Sequence, residues 1–141
     1  MGVMQVEVVS NENNIFSGEA TFVVVPTLEG ELGIYPRHEP IMNLVRPGAL
    51  RLTVPDSNQE VLVAVSGGVL EVQPHKVTVL ADVAVRSSEM DQARAEEAKK
   101  NAEAGVAKAQ DEESLAKAQA ALAAAIAELK TLDYIRSQRH K

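Results

Sequence analysis

Valine and alanine divide this chain at residue 86, and that division limits the folds open to it. Through Arg86 the sequence holds 18 Val, 5 Ala, all 6 Pro and 7 of the 8 Gly; from Ser87 to Lys141 it holds 1 Val, 15 Ala, no Pro and only Gly105. β-Branched residues are stiff in a helix and pack well on a pleated surface, whereas alanine is the best helix former. A β-body over residues 1–86 and a helical unit over 87–141 are therefore predicted. With two Phe, two Tyr and no Trp, the core has to be aliphatic.

Several function classes drop out early. No apolar run approaches the ~20 residues that span a bilayer. The opening MGVMQVEVVSN has neither a basic n-region before an apolar h-region nor an Arg-rich transit pattern, so no targeting segment is expected. Without Cys there is no thiolate metal site, thiol nucleophile or disulfide. A formal net charge of -6 argues against a nucleic-acid partner, which needs a basic footprint. The charge is uneven, however. Residues 1–86 carry ten acids and five bases, while Lys130, Arg136, Arg139 and Lys141 crowd the last twelve residues against Asp133 alone. A basic tip on an acidic body suggests that the tip meets something acidic.

In the first half, Val3–Val9, Ala20–Val25, Leu50–Val54, Glu60–Val65, Val69–Val72 and Lys76–Ala81 read as strands. Between them lie turn formers such as Asn11-Glu12-Asn13-Asn14, Glu29-Gly30-Glu31, Arg46-Pro47-Gly48 and Gln73-Pro74-His75. Phe22–Val25 and Val61–Val65 are apolar on both faces and read as central strands. Short strands without intervening helices predict an antiparallel β-sandwich or flattened barrel. His38 and Glu39, between Pro36 and Pro40, could be written as an acid/base pair, but no nucleophile accompanies them and a rigid surface loop is expected. Ser66-Gly67-Gly68 lacks the helix and Lys of a nucleotide loop; a kink where two backbones approach is expected instead. The pattern of this half is not that of an enzyme.

In the second half, Ser88 is a good N-cap with Asp91 three residues on, and a helix is predicted over about 88–104, with Ala95, Ala98 and Ala102 on one face and Gly105 ending it. Asp111 caps a second helix, about 111–138, whose first turn carries Glu112 and Glu113. Leu115, Ala118, Leu122, Ala125, Leu129 and Leu132 repeat every seven residues as an a/d seam, with Ile126 and Ile135 beside it. Two helices and a short loop predict an antiparallel hairpin, giving a segregated α+β chain. Alanine buries little area, so the seam holds weakly, yet the helices lose little when undocked. Swung out straight, the segment from Asp111 would reach about 45 Å. A static hairpin that pads the sandwich and one that moves both fit this composition.

Three stretches, in order, carry a family resemblance: Gly30-Glu31-Leu32-Gly33-Ile34-Tyr35-Pro36-Arg37-His38-Glu39-Pro40; Ser66-Gly67-Gly68-Val69-Leu70-Glu71-Val72 followed by Val77-Thr78-Val79-Leu80-Ala81-Asp82; and Met90-Asp91-Gln92-Ala93-Arg94-Ala95. Together they resemble the bacterial epsilon subunit of F-type ATP synthase, over the whole chain. The resemblance implies a ten-stranded sandwich, a two-helix hairpin, and a non-catalytic rotor part of a proton-translocating enzyme. Its implied partners are the gamma subunit, the c-ring and, when the hairpin extends, the catalytic alpha/beta head. It also implies a peripheral position at the cytoplasmic face of the inner membrane, with membrane association only through the complex.

Positionally, the resemblance assigns a c-ring-facing loop to Glu31, Leu32, Gly33, Ile34, Tyr35, Pro36, Arg37 and His38, where Arg37 stands at a place common for glycine and a different local turn is expected. It implies that Leu129–Lys141 inhibits ATP hydrolysis when extended, with Lys130, Arg136, Arg139 and Lys141 reaching acidic loops of the head. Some relatives bind ATP through Ile/Leu-Asp-x-x-Arg-Ala-x-x-Ala-x-x-Arg. Here Asp91, Arg94, Ala95 and Ala98 match, but Met90 opens the motif and Asn101 replaces its last arginine, a phosphate partner. ATP binding is therefore expected to be weak or absent, with Asp91 a cap and Arg94 a surface residue.

Overall fold

The computed structural model describes residues 2–11 and 13–139, with side chains as far as Gln138. Ten strands come first: β1 (Met4–Ser10), β2 (Asn13–Ala20), β3 (Phe22–Thr27), β4 (Gly30–Ile34), β5 (Ile41–Val45), β6 (Gly48–Thr53), β7 (Glu60–Val65), β8 (Gly68–Gln73), β9 (Lys76–Ala81) and β10 (Ala84–Arg86). A 3-10 turn over Ser87–Glu89 leads into α1 (Gln92–Lys108) and α2 (Glu112–Arg139). The strands hydrogen-bond in the order β10-β7-β6-β3-β5-β8-β9-β1-β2, with β4 attached to β3. All pairs are antiparallel except β1 with β9, which run parallel.

The sheet curls on itself until β10 lies beside β1 and β2, closing a flattened barrel whose last gap is bridged by Arg86 above the Phe16 ring. Alternation explains the inner face. Val6, Val8, Leu50, Leu52, Val77 and Val79 point inward from β1, β6 and β9 and are fully buried. Val23, Val25, Val63, Val65, Leu70 and Val72 complete an aliphatic core. The glycine kink forms as expected between β7 and β8: Gly68 has φ 142°, and a Cβ there would lie 2.0 Å from the Leu80 carbonyl oxygen. Only glycine fits.

Runs apolar on both faces have a second cover. α2 packs across the outer face of β6 and β7, so Ala64 is buried on the side away from the core cluster. Four strands escaped the sequence reading. β2 and β4 begin in segments read as turns, β10 is three residues long, and β5 leaves Met42 and Leu44 exposed, so none offers a long buried run.

The first helix differs from expectation at both ends. Asp91, not Ser88, is its N-cap, its carboxylate accepting from the Arg94 N–H at 3.0 Å, while Ser87–Glu89 forms the 3-10 turn. Gly105 lies inside α1 rather than ending it: its missing Cβ lets the helices close, and a Cβ there would sit 3.2 Å from that of Ala118. The buried face of α1 runs through Ala95 and Ala102, whereas Ala98 is exposed. Asp111 caps α2 through the Ser114 N–H at 2.7 Å, and that bond holds its carboxyl below the ordinary value of 3.8. The hairpin is antiparallel. α2 carries the packing on the sandwich, while α1 packs on α2.

Candidate functional site

Two surfaces were singled out by sequence, and the structure builds them differently. The eight residues from Glu31 to His38 are not one loop. Glu31–Ile34 form β4 because Gly30–Ile34 pairs residue by residue with β3, from Thr27↔Gly30 to Val23↔Ile34. Strand alternation then separates their roles: Ile34 is fully buried, Leu32 packs on the core, and Glu31 points outward to Arg51 at 3.5 Å. Only Tyr35, Pro36, Arg37 and His38 form the exposed turn.

That turn is held from three sides. The Tyr35 ring stacks on Phe22 with centroids 4.4 Å apart while remaining largely exposed. The Arg37 N–H donates to the Pro74 carbonyl at 2.9 Å, tying the turn to the β8–β9 hairpin. A ring nitrogen of His38 bonds the Glu39 carbonyl at 2.7 Å, so the pair is a local turn contact. Arg37 has φ 70°. It adopts the left-handed conformation that glycine adopts freely, at a cost of about 1 kcal/mol for an L side chain. Arginine is thus held here in a glycine-type backbone.

The second surface is the C-terminal part of α2 on the sandwich. Ala127 and Thr131 are buried there, and the Thr131 hydroxyl donates to the Ala127 carbonyl of its own helix at 2.8 Å. Lys130 Nζ donates to the Pro47 carbonyl at 3.3 Å. Tyr134 donates its hydroxyl to Glu60 Oε1 at 2.9 Å, and the Arg51 guanidinium lies 4.6 Å from its ring centroid. Burial, then the Glu60 bond, push the Tyr134 phenol above its ordinary value of 10.0. Arg136 pairs with Asp133 at 2.5 Å and reaches Gln92 Oε1 at 3.5 Å. A cleft of about 450 Å³ opens beside these contacts, lined by Arg46, Arg51, Lys130 and Tyr134 among others. Lys141 and the Arg139 side chain lie outside the described residues.

Two of the tip cations thus have partners in the docked hairpin, and a tyrosine the sequence reading passed over is central to the dock. A signal for it existed. Tyr134 is the only aromatic residue after Arg86, and it continues the stripe Ala127–Thr131 at helical spacing. The hairpin, read from its alanine seam as weakly held, is thus anchored to the sandwich by a ring.

Asp91 and Arg94 are brought together by capping. The Arg94 guanidinium donates to the Glu89 carbonyl at 3.1 Å, and its charge opposes the burial that raises the Glu128 carboxyl above 4.5. Asn101 is exposed a further two turns along α1. Among the described residues no three His, Asp or Glu side chains gather as a metal site, and no helix is long and apolar enough to cross a membrane.

The architecture is a ten-stranded β-barrel that ends in a two-helix hairpin. The sequence matches the family model for the β-sandwich domain of the ATP synthase delta/epsilon chain over residues 3–87, and that for its long α-helix domain over 88–138. It is 79% identical over 139 residues to the ATP synthase epsilon chain of Neisseria meningitidis (serogroup C, serotype 2a), covering 99% of both chains. It is 59% identical over 140 residues to that of Chromobacterium violaceum, covering 99% of this chain and 100% of the relative. In fold it is similar to a chain in the c-ring-containing assembly of Euglena gracilis mitochondrial ATP synthase, with TM-score 0.70 and 20% identity, covering 95% of this chain and 81% of that one. The chain belongs to the ATP synthase delta/epsilon family, as a bacterial F-type epsilon subunit.

Proposed function

We propose that the chain couples the gamma subunit to the c-ring of a proton-translocating ATP synthase at the cytoplasmic face of the inner membrane, and that its hairpin restrains ATP hydrolysis when extended. The observation that carries the regulatory part is the composition of the dock. Toward the sandwich α2 presents Ala127 and Thr131, small residues that bury little area, and among the described residues few polar links join the helix to the sandwich. α1 and α2 are both capped by aspartates of their own, so each remains a helix when it leaves.

The rigid turn Tyr35–His38 is the part of the original eight-residue assignment suited to a torque-bearing c-ring contact. Met42, Leu44 and Leu80, exposed on the outer sheet face of β5 and β9, support a gamma contact there. In the extended state Lys130 and Arg136 exchange their docked partners for acidic groups of the head, where shielding from water strengthens such pairs. Arg139 and Lys141 share that assignment from sequence.

Deleting residues 129–141 should raise ATP hydrolysis by the assembled complex; unchanged hydrolysis would leave the static adaptor as the reading, which the Tyr134 contacts favour. The subunit binds ATP weakly or not at all, because the Asp91 carboxylate is spent on the α1 cap and Asn101 supplies no cation. Isothermal titration checks this, and submillimolar binding would contradict it.

A further inference from the structure

The hold of the hairpin on the sandwich converges on one side chain. Of the residues α2 lays on β6 and β7, Ala127 offers a methyl group and Thr131 turns its hydroxyl back to its own helix. Arg136 pairs within α2 and with α1, so it ties the hairpin to itself rather than to the sandwich. Lys130 contributes a single bond to a backbone carbonyl. Among the described residues, Tyr134 alone joins the sandwich through both a ring face and a hydrogen bond.

Its partners are arranged in advance. Arg51 projects from the outer face of β6 with its side chain 20% exposed, Nη1 3.5 Å from Glu31 and Nε 3.9 Å from Glu60. Glu31 accepts one long bond from the guanidinium, whereas Nε is buried without a hydrogen-bond partner, so the two carboxylates place Arg51 by charge and the Tyr134 ring covers it. Glu60 is used twice, once by Arg51 and once by the phenol. Arg51 and Glu60 come from paired strands, with Arg51 opposite Leu62 and Thr53 opposite Glu60, so the sheet register sets their spacing.

We propose that Tyr134, Arg51 and Glu60 form a clasp that sets how readily the hairpin leaves the sandwich. This inference rests on the reading of the hairpin as a mobile, inhibitory element. The alanine seam keeps α1 and α2 together, while the clasp fixes the pair to the β-body. The two functions are carried by different parts of α2: Ala118 lies against Gly105 of α1, and Tyr134 meets Arg51 and Glu60 of the sheet.

The test uses the absence of Cys, which allows two to be introduced at exposed positions, Ser57→Cys and Gln138→Cys, and labelled as a distance pair. The full chain is then assembled into the complex, and energy transfer and ATP hydrolysis are read together. Tyr134→Leu keeps an apolar helix former and removes the ring face and hydroxyl; it should raise the ratio of extended to docked hairpin roughly ten-fold and lower hydrolysis. Arg51→Met should do the same, and combining the two should add little, because each removes the same contact. Unchanged helicity of Tyr134→Leu by circular dichroism separates release from melting, and Tyr134→Phe, which keeps the ring, should give an intermediate shift.

A docked fraction unaffected by Tyr134→Leu and Arg51→Met, or effects that add fully in the double variant, would overturn the clasp. If these variants leave the distance unchanged while deletion of residues 129–141 still raises hydrolysis, the clasp fails and the inhibitory reading stands. If the deletion has no effect either, the inhibitory reading itself is wrong.

Discussion

The sandwich and the hairpin use small residues to opposite ends. In the sandwich a small residue marks a place with no freedom left: Gly68 sits with φ 142° where a methyl group would overlap the Leu80 carbonyl oxygen. In the hairpin, Gly105 faces Ala118 across two helices that can shift by tenths of an ångström. The first body is over-determined, with every inward valine touching strands on both sides. The second is regular within itself and lightly attached outside. Register thus specifies the barrel throughout, while one thin interface joins the hairpin to it.

One substitution made twice puts that contrast under strain. Gly68→Ala forces two backbones apart and should destabilise the sandwich by about 3 kcal/mol or more, read as a lower thermal midpoint of the β signal. Gly105→Ala gains helix propensity worth about 0.8 kcal/mol and loses part of it to crowding against Ala118, so its midpoint should move by no more than a few degrees. Equal losses at the two positions would break the comparison, because the hairpin would then be as tightly specified as the barrel.

A smaller effect sharpens it on the hairpin side. Burial raises the Glu128 carboxyl above 4.5, with Arg94 opposing. The native state then binds this proton more tightly than the unfolded chain does, so stability falls as pH rises from the unfolded value through the raised one. At neutral pH the charged Glu128 is a cost, and Glu128→Gln should stabilise the hairpin by roughly 0.3 kcal/mol, discounted for its exposure. The difference should vanish below about pH 4, where both side chains are neutral. Paired melts at pH 7 and pH 3.5 measure it; a gain that persists in acid would point to packing rather than charge.

The amino-acid pattern made the barrel and the hairpin legible, since valine-rich alternation and the Leu/Ala heptads are local signals. β2 and β4 were hidden because their residues resemble turns until a neighbouring strand pairs with them. Gly105 looked like a helix stop because its reason for being there, the Ala118 methyl, comes from the other helix. Likewise Glu31 looked like part of an exposed loop, whereas pairing with β3 turns it toward Arg51. The clasp was the least legible element. Its meaning depends on Arg51 and Glu60, 83 and 74 positions from Tyr134 in the chain, and no periodicity links residues so far apart. What could be read locally was the oddity of a single ring in an alanine helix.

The parallel pairing of β1 with β9 has a consequence for how the molecule is made. As the chain leaves the ribosome, the first strand meets β2 at once, but its other edge stays open until Lys76–Ala81 has been synthesised. Nearly the whole barrel must exist before its opening segment is enclosed, because the pairing that closes it spans most of the sandwich sequence. The helices emerge afterwards, onto a surface already finished. Birth order thus follows construction: the barrel set by register is synthesised before the hairpin that rests on it.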